Sequence, residues 1–80
     1  MKVRFYGKLA DLFGSEQEIA VDTPCTVADL RDRLAIEHPS GAESLQHKRV
    51  RACIGDEIAR DTDAVPDGAV LEFLAPVSGG

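Results

Sequence analysis

Tryptophan is missing from this 80-residue chain, tyrosine and methionine occur once each, and positive charge is scarce. Nine Lys and Arg stand against fourteen Asp and Glu, for a formal net charge of −5. That balance argues against nucleic acid or an anionic membrane as a partner, because both require a basic footprint to neutralise phosphates. No apolar run approaches the length of a membrane span. The opening Met1-Lys2-Val3-Arg4 passes directly into an alternating pattern, without the apolar core of a secretory signal. A soluble cytoplasmic protein is expected.

Cysteine and histidine are equally sparse. Cys25 and Cys53 are too few and too far apart for a zinc cluster, and they read as small, partly buried hydrophobes with no disulfide between them. His38 and His47 have no ligand set nearby and read as solvated surface residues, so no metal site is expected. No grouping of His, Cys and carboxylate appears at catalytic spacing, which argues against a self-contained enzyme. A chain of this size makes one domain with one small core and little room for a buried catalytic cavity.

The residues that are present alternate in short blocks. Val3 and Phe5 fall on one face of a strand over residues 2–6, and Lys2, Arg4 and Tyr6 on the other. After Gly7, the spacing of Leu9, Leu12 and Phe13 predicts a short helical turn that returns apolar residues to the core. Gln17, Ile19 and Val21 share one face of a second strand, which Asp22-Thr23-Pro24 closes with turn chemistry, and the two strands read as an antiparallel pair.

Thr26 is a good N-cap with Asp29 three positions on, so a helix is expected to start there. Val27, Leu30 and Leu34 form its buried stripe, with Arg31, Asp32 and Arg33 on wetter sides and Ile36 pointing away without explanation. Pro39-Ser40-Gly41 stops it near Glu37-His38. A third strand runs from Val50 to Ile54 with Val50, Ala52 and Ile54 inward, and Gly55-Asp56 turns it into a short strand around Ile58. Arg60 to Ala64 reads as polar connector and Val65 as a core plug. Pro66-Asp67-Gly68 is a turn, and Val70 to Leu74 is the last strand, with Leu71 and Phe73 inward.

This order, with one main helix able to cover one side of a sheet, is an α+β roll. If the first and last strands are neighbours, Tyr6, Val70 and Leu74 share the helix-free face, where Ile58 can join them, and a contiguous apolar patch there reads as a docking surface. Beyond Leu74 come Ala75-Pro76-Val77-Ser78-Gly79-Gly80. Pro76 ends sheet pairing and biases Ala75 towards extended geometry, so residues 75–80 are expected to leave the body as a flexible thread carrying a terminal carboxylate. Extended, they reach on the order of 20 Å, enough to enter a partner's channel. Gly79 and Gly80 lack the Cβ atoms that would obstruct that entry.

Four stretches taken together carry a resemblance over the whole chain: Val3-Arg4-Phe5-Tyr6-Gly7, Thr26-Val27-Ala28-Asp29-Leu30, Pro66-Asp67-Gly68 and the segment from Phe73 to the diglycine. The chain resembles the small, sulfur-carrying subunits of molybdopterin synthase, the MoaD family, and their ThiS-like relatives. The terminal Pro-Val-Ser-Gly-Gly is the specific part. The sequence departs from the family at Ala69-Val70, where an acidic pair is frequent, at Ala75-Pro76, where Pro-Pro is frequent, and at Cys53-Ile54-Gly55, where Ala-Val-Asn is frequent.

The resemblance implies a ubiquitin-like β-grasp, a mixed sheet of four to five strands packed on one main helix. It implies that a MoeB-like adenylating enzyme consumes ATP to adenylate Gly80, after which a sulfur donor converts the acyl-adenylate to a thiocarboxylate. A MoaE-like large subunit then accepts the tail, and sulfur passes to cyclic pyranopterin monophosphate. Under this reading Gly80 is the covalent site, Gly79 gives clearance, and no cofactor is bound. Tyr6, Ile58, Leu74, Ala75, Pro76, Val77 and Ser78 meet the partner. The alternatives are a ThiS-like carrier for thiamine, cysteine or tRNA thiolation, and a β-grasp interaction module with an inert tail.

Overall fold

The computed structural model describes residues 1–22, 24–47 and 49–75; Thr23 of the second turn lies outside them. Strand β1 (Lys2–Tyr6) leads through Gly7 into helix α1 (Lys8–Phe13), and β2 (Glu16–Glu18) returns antiparallel to β1. A two-residue strand, β3 (Cys25–Thr26), precedes the main helix α2 (Val27–Glu37). A single turn of 3-10 helix (Pro39–Gly41) and helix α3 (Ala42–Leu45) lead to β4 (Arg51–Ile54) and β5 (Glu57–Ala59). Strands β6 (Ala64–Val65) and β7 (Val70–Leu74) complete the order.

Five strands form one mixed sheet in the order β2-β1-β7-β4-β5. Its centre is a parallel pair, β1 against β7, with Val3 opposite Leu71 and Phe5 opposite Phe73. These four inward side chains are at most 1% exposed. Helix α2 supplies the other wall through Val27, Leu30 and Leu34, all fully buried at the expected spacing. Every phenylalanine of the chain is in this core. Phe5 stacks on Phe13 at 4.9 Å and on Phe73 at 5.9 Å between ring centroids, joining α1 to both central strands. The result is the α+β, β-grasp arrangement.

Both ends of α2 form where the sequence places them. Thr26 and Asp29 make a reciprocal capping box: the Thr26 N–H donates to Asp29 Oδ2 at 3.0 Å, and the Asp29 N–H donates to Thr26 Oγ1 at 3.2 Å. At the other end Pro39 begins a different turn, and the His38 N–H closes on Leu34 O at 2.8 Å. The last hairpin loop is Gly55-Asp56, joining Ile54 to its partner Glu57. In the turn before β7 the Ala69 N–H donates to Pro66 O at 3.2 Å, so Asp67 and Gly68 are its central pair and Pro66 its first corner. Gly68 takes φ 83°, which a side chain would strain.

Several expectations need correction. Cys25–Thr26 and Ala64–Val65 pair as a separate two-stranded sheet, so the connector before Val65 is partly ordered strand, with Cys25 opposite Val65. Two-residue strands have too few positions to show alternation. Strand β2 ends at Glu18 instead of running to Val21, although Ile19 is still buried and its N–H donates to Met1 O at 2.8 Å. Leu12 is 37% exposed, because a helix as short as α1 buries only one edge, here Leu9 and Phe13.

Arg31 does not occupy a wet side. Its side chain is 11% exposed, and its guanidinium lies 5.2 Å over the Phe73 ring. Nη1 donates to Leu45 O at 2.7 Å and Nη2 to Val50 O at 2.9 Å. Nε lies 2.9 Å from Asp61 Oδ1 without the alignment of a hydrogen bond, so that contact is an ion pair only. The planar fork thus fixes both ends of the segment entering β4. His38 is half-buried, its ring edge-on to Phe13 at 5.4 Å and its Nε2 3.1 Å from Gln17 Oε1. Only His47 is exposed as expected, and its Nδ1 accepts from the Arg49 N–H at 3.1 Å.

Candidate functional site: the helix-free sheet face and the root of the tail

The pleat of the five-stranded sheet sends every second side chain away from α2. On β1 these are Lys2, Arg4 and Tyr6, and on β7 they are Val70, Glu72 and Leu74. Because the two strands run parallel, Tyr6 stands opposite Leu74 at the end where the chain leaves the sheet. The antiparallel partner of Leu74 on the other side is Arg51 of β4. One row across the sheet therefore reads Tyr6, Leu74, Arg51. Tyr6 is 41% exposed and Leu74 38%, as expected for a patch that is open and still anchored in the sheet.

Ile58 belongs to a different row. It opposes Cys53, which opposes Glu72, which opposes Arg4. Ile58 is 70% exposed on edge strand β5, with β4 between it and Leu74. The three apolar positions named from the resemblance thus share a face but do not form one continuous patch. Tyr6 and Leu74 adjoin, and Ile58 stands apart beyond Cys53. Val70 shares the face, half-buried, opposite Lys2.

Charge occupies the middle of this face, which strand alternation alone does not reveal. Tyr6 donates its hydroxyl proton to Glu72 Oε2, and this bond raises the tyrosine pKa above its ordinary value, with desolvation adding to it. Arg4 Nε donates to Glu16 Oε1 at 3.1 Å on the neighbouring strand. The tyrosine opposite Leu74 thereby has its polar edge satisfied. Such a pair can meet a partner's apolar surface without stranding a donor.

Ala75 is half-buried and packs against the core, so the first residue of the expected thread is held to the body. Pro76, Val77, Ser78, Gly79 and Gly80 lie outside the described residues. Among the described residues no group of His, Cys, Asp and Glu could hold a metal ion, and no helix is long and apolar enough to cross a membrane. Both cysteines are free thiols. Burial raises the pKa of Cys25, and the charge of Asp29 adds to the shift, so this thiol is a poor nucleophile.

A family model described as the ThiS family matches residues 3–80, which is nearly the whole chain and includes the diglycine. The chain belongs to the ThiS family. Within this MoaD-like group of sulfur carriers, the molybdopterin synthase sulfur carrier subunit of Escherichia coli (strain K12) is 30% identical over 81 residues, spanning 100% of this chain and 99% of the relative. Among solved structures, SAMP1 from Haloferax volcanii superposes with a TM-score of 0.82 at 27% identity, covering 99% of this chain and 97% of that one. A Pyrococcus furiosus chain, at 22% identity and a TM-score of 0.80 over 95% of each chain, supports the ubiquitin-like fold alone.

Proposed function

We propose that this ThiS-family chain is the sulfur carrier subunit of a molybdopterin synthase and that Gly80 is its covalent site. The observation that carries this reading is end-to-end similarity, at 30% identity, to a carrier subunit of matching length. A free carboxylate is a poor electrophile. One oxygen of the Gly80 carboxylate attacks the α-phosphorus of ATP on an adenylating enzyme, and pyrophosphate leaves. The persulfide of a sulfur donor then attacks the acyl carbon and expels AMP, and a second thiol reduces the resulting acyl disulfide, leaving the Gly80 thiocarboxylate and a donor disulfide. The carrier itself supplies no base and binds no cofactor; ATP is consumed by its partner.

The helix-free face does the docking in this reading. Tyr6 and Leu74 contact the large synthase subunit beside the root of the tail, Ile58 contacts it separately, and Ala75 through Ser78 lead into its channel. Gly79 is free of side-chain atoms so that the thread can pass into two different partner sites. The substrate receiving sulfur is cyclic pyranopterin monophosphate, bound by the large subunit in the cytoplasm.

A second reading is favoured by the similarity to SAMP1, a protein also described as small archaeal modifier protein 1. In it the same activated carboxyl terminus serves another acceptor. The test is acceptor competition: the thiocarboxylated chain is offered to a large synthase subunit with cyclic pyranopterin monophosphate, and to a thiamine-type acceptor system. Dithiolene formation with the first and none with the second supports the molybdopterin assignment, and the reverse contradicts it.

A further inference from the structure

No polar or charged residue is fully buried among the described residues, yet α2 sends one guanidinium to the edge of the apolar core. That group, of Arg31, meets four separate segments. Nη1 donates to Leu45 O at the end of α3 and Nη2 to Val50 O just before β4. Nε faces Asp61 between β5 and β6, and Cζ lies over the Phe73 ring of β7. A desolvated cation must recover its hydration from such partners, and an apolar side chain of similar volume often covers a ring equally well. An apolar side chain could not hold two backbone carbonyls. The contacts point to a task of geometry.

Two of them bracket the place where the chain leaves the sheet. Val50 leads into Arg51, the ladder partner of Leu74, and Phe73 directly precedes Leu74 with its own partner, Ala52, on β4. The guanidinium therefore joins the last two rungs of the β4–β7 ladder, through Val50 on one strand and Phe73 on the other. Ala75, next in the chain, is half-buried and packs against the core. The segment that carries Gly80 starts from an ordered root, and Arg31 lies behind that root, on the opposite side of the sheet from Tyr6 and Leu74.

We infer that Arg31 is a positioning residue for adenylation: it holds the tail root in order, so that docking does not have to order Leu74 and Ala75 before Gly80 can react. This rests on the carrier reading above and adds to it a residue that acts on Gly80 only through β4 and β7. Each backbone residue left to be ordered at that step lowers the reactive population on the order of tenfold. The planar fork is the working feature, since the ammonium of a lysine is a point charge that cannot bridge both carbonyls in one plane.

The test is ATP–pyrophosphate exchange by an adenylating enzyme, measured against concentration of the full-length chain for wild type, Arg31→Met, Arg31→Lys and Gly41→Ala. Both Arg31 variants should lose on the order of tenfold in kcat, with KM changed less than kcat, because the docking face itself keeps its residues. Gly41→Ala disturbs Phe13 instead of the tail root, and the folded variant should keep the wild-type kcat. If neither Arg31 variant folds, backbone relaxation of the wild-type chain decides. Order parameters of about 0.85 at Val50, Leu74 and Ala75 are expected, and a value below about 0.6 at Ala75 overturns the inference. Arg31 variants whose kcat matches that of Gly41→Ala, or a wild-type kcat in Arg31→Lys alone, overturn it as well and leave the carrier reading intact. No exchange with the wild-type chain overturns both.

Discussion

Tyr6 and Leu74 lie 68 positions apart in sequence and directly opposite each other across the parallel ladder of β1 and β7, at the point where the chain leaves the sheet. Both are partly exposed, and the Tyr6 hydroxyl is taken up by Glu72. The pair forms a small apolar step beside the tail. Introducing charge there should disturb docking without disturbing the core behind it.

Leu74→Glu places a carboxylate next to Tyr6 and on the same face as Glu72. We expect it to weaken assembly with the large synthase subunit by about tenfold or more, a loss of roughly 1.4 kcal/mol, and to reduce adenylation less. Folding stability should change by only about 0.5 kcal/mol, as for other surface substitutions away from caps and cores. Titration of the variant against the large subunit, alongside its urea unfolding curve, checks both parts. Wild-type affinity would remove Leu74 from the docking face.

Gly41 tests the packing. A Cβ built there would lie 2.6 Å from Phe13 Cζ and 2.7 Å from Cε2, so Phe13 would have to move while stacked on Phe5 and edge-on to His38. Gly41→Ala should therefore destabilise the fold by about 1–3 kcal/mol. Chemical denaturation gives the value directly, and an unchanged midpoint would mean that the ring shifts freely.

The capping box gives stability a pH dependence. The Thr26 N–H holds the Asp29 carboxyl below its ordinary value, and the bond with the Thr26 side chain adds to the shift. A carboxyl depressed by folding contributes stability that is fully present above its unfolded pKa, about 3.9, and is lost as pH falls through the folded value. The stability difference between wild type and Asp29→Asn should accordingly be constant near neutral pH and shrink below about pH 4. A difference that persists undiminished to low pH would mean that the carboxylate charge is not what the cap uses.

Much of the fold is legible because its signals are local. The capping box at Thr26, the stop at Pro39, the Gly55-Asp56 turn and the inward pairs of β1, β4 and β7 each follow from a few adjacent residues. What the sequence conceals depends on distant partners. The parallel pairing of β1 with β7 is a matter of topology. Arg31 reads as a solvated helix residue until Leu45 and Val50 present their carbonyls to it, and His38 reads as surface until Phe13 lies against it. On the candidate site, alternation brings Tyr6 and Leu74 to one face, but only the register separates Ile58 from them and puts Arg51 next to Leu74.

The central claim is that Gly80 carries sulfur. The most direct measurement is the intact mass of the full chain after incubation with ATP, a sulfur source and an adenylating enzyme, beside a Gly80-deleted control. The account predicts a mass increase equal to the exchange of one oxygen for sulfur in the full chain and none in the control. An unshifted full chain under conditions that load a known carrier, or a deletion variant that takes up sulfur, would contradict it.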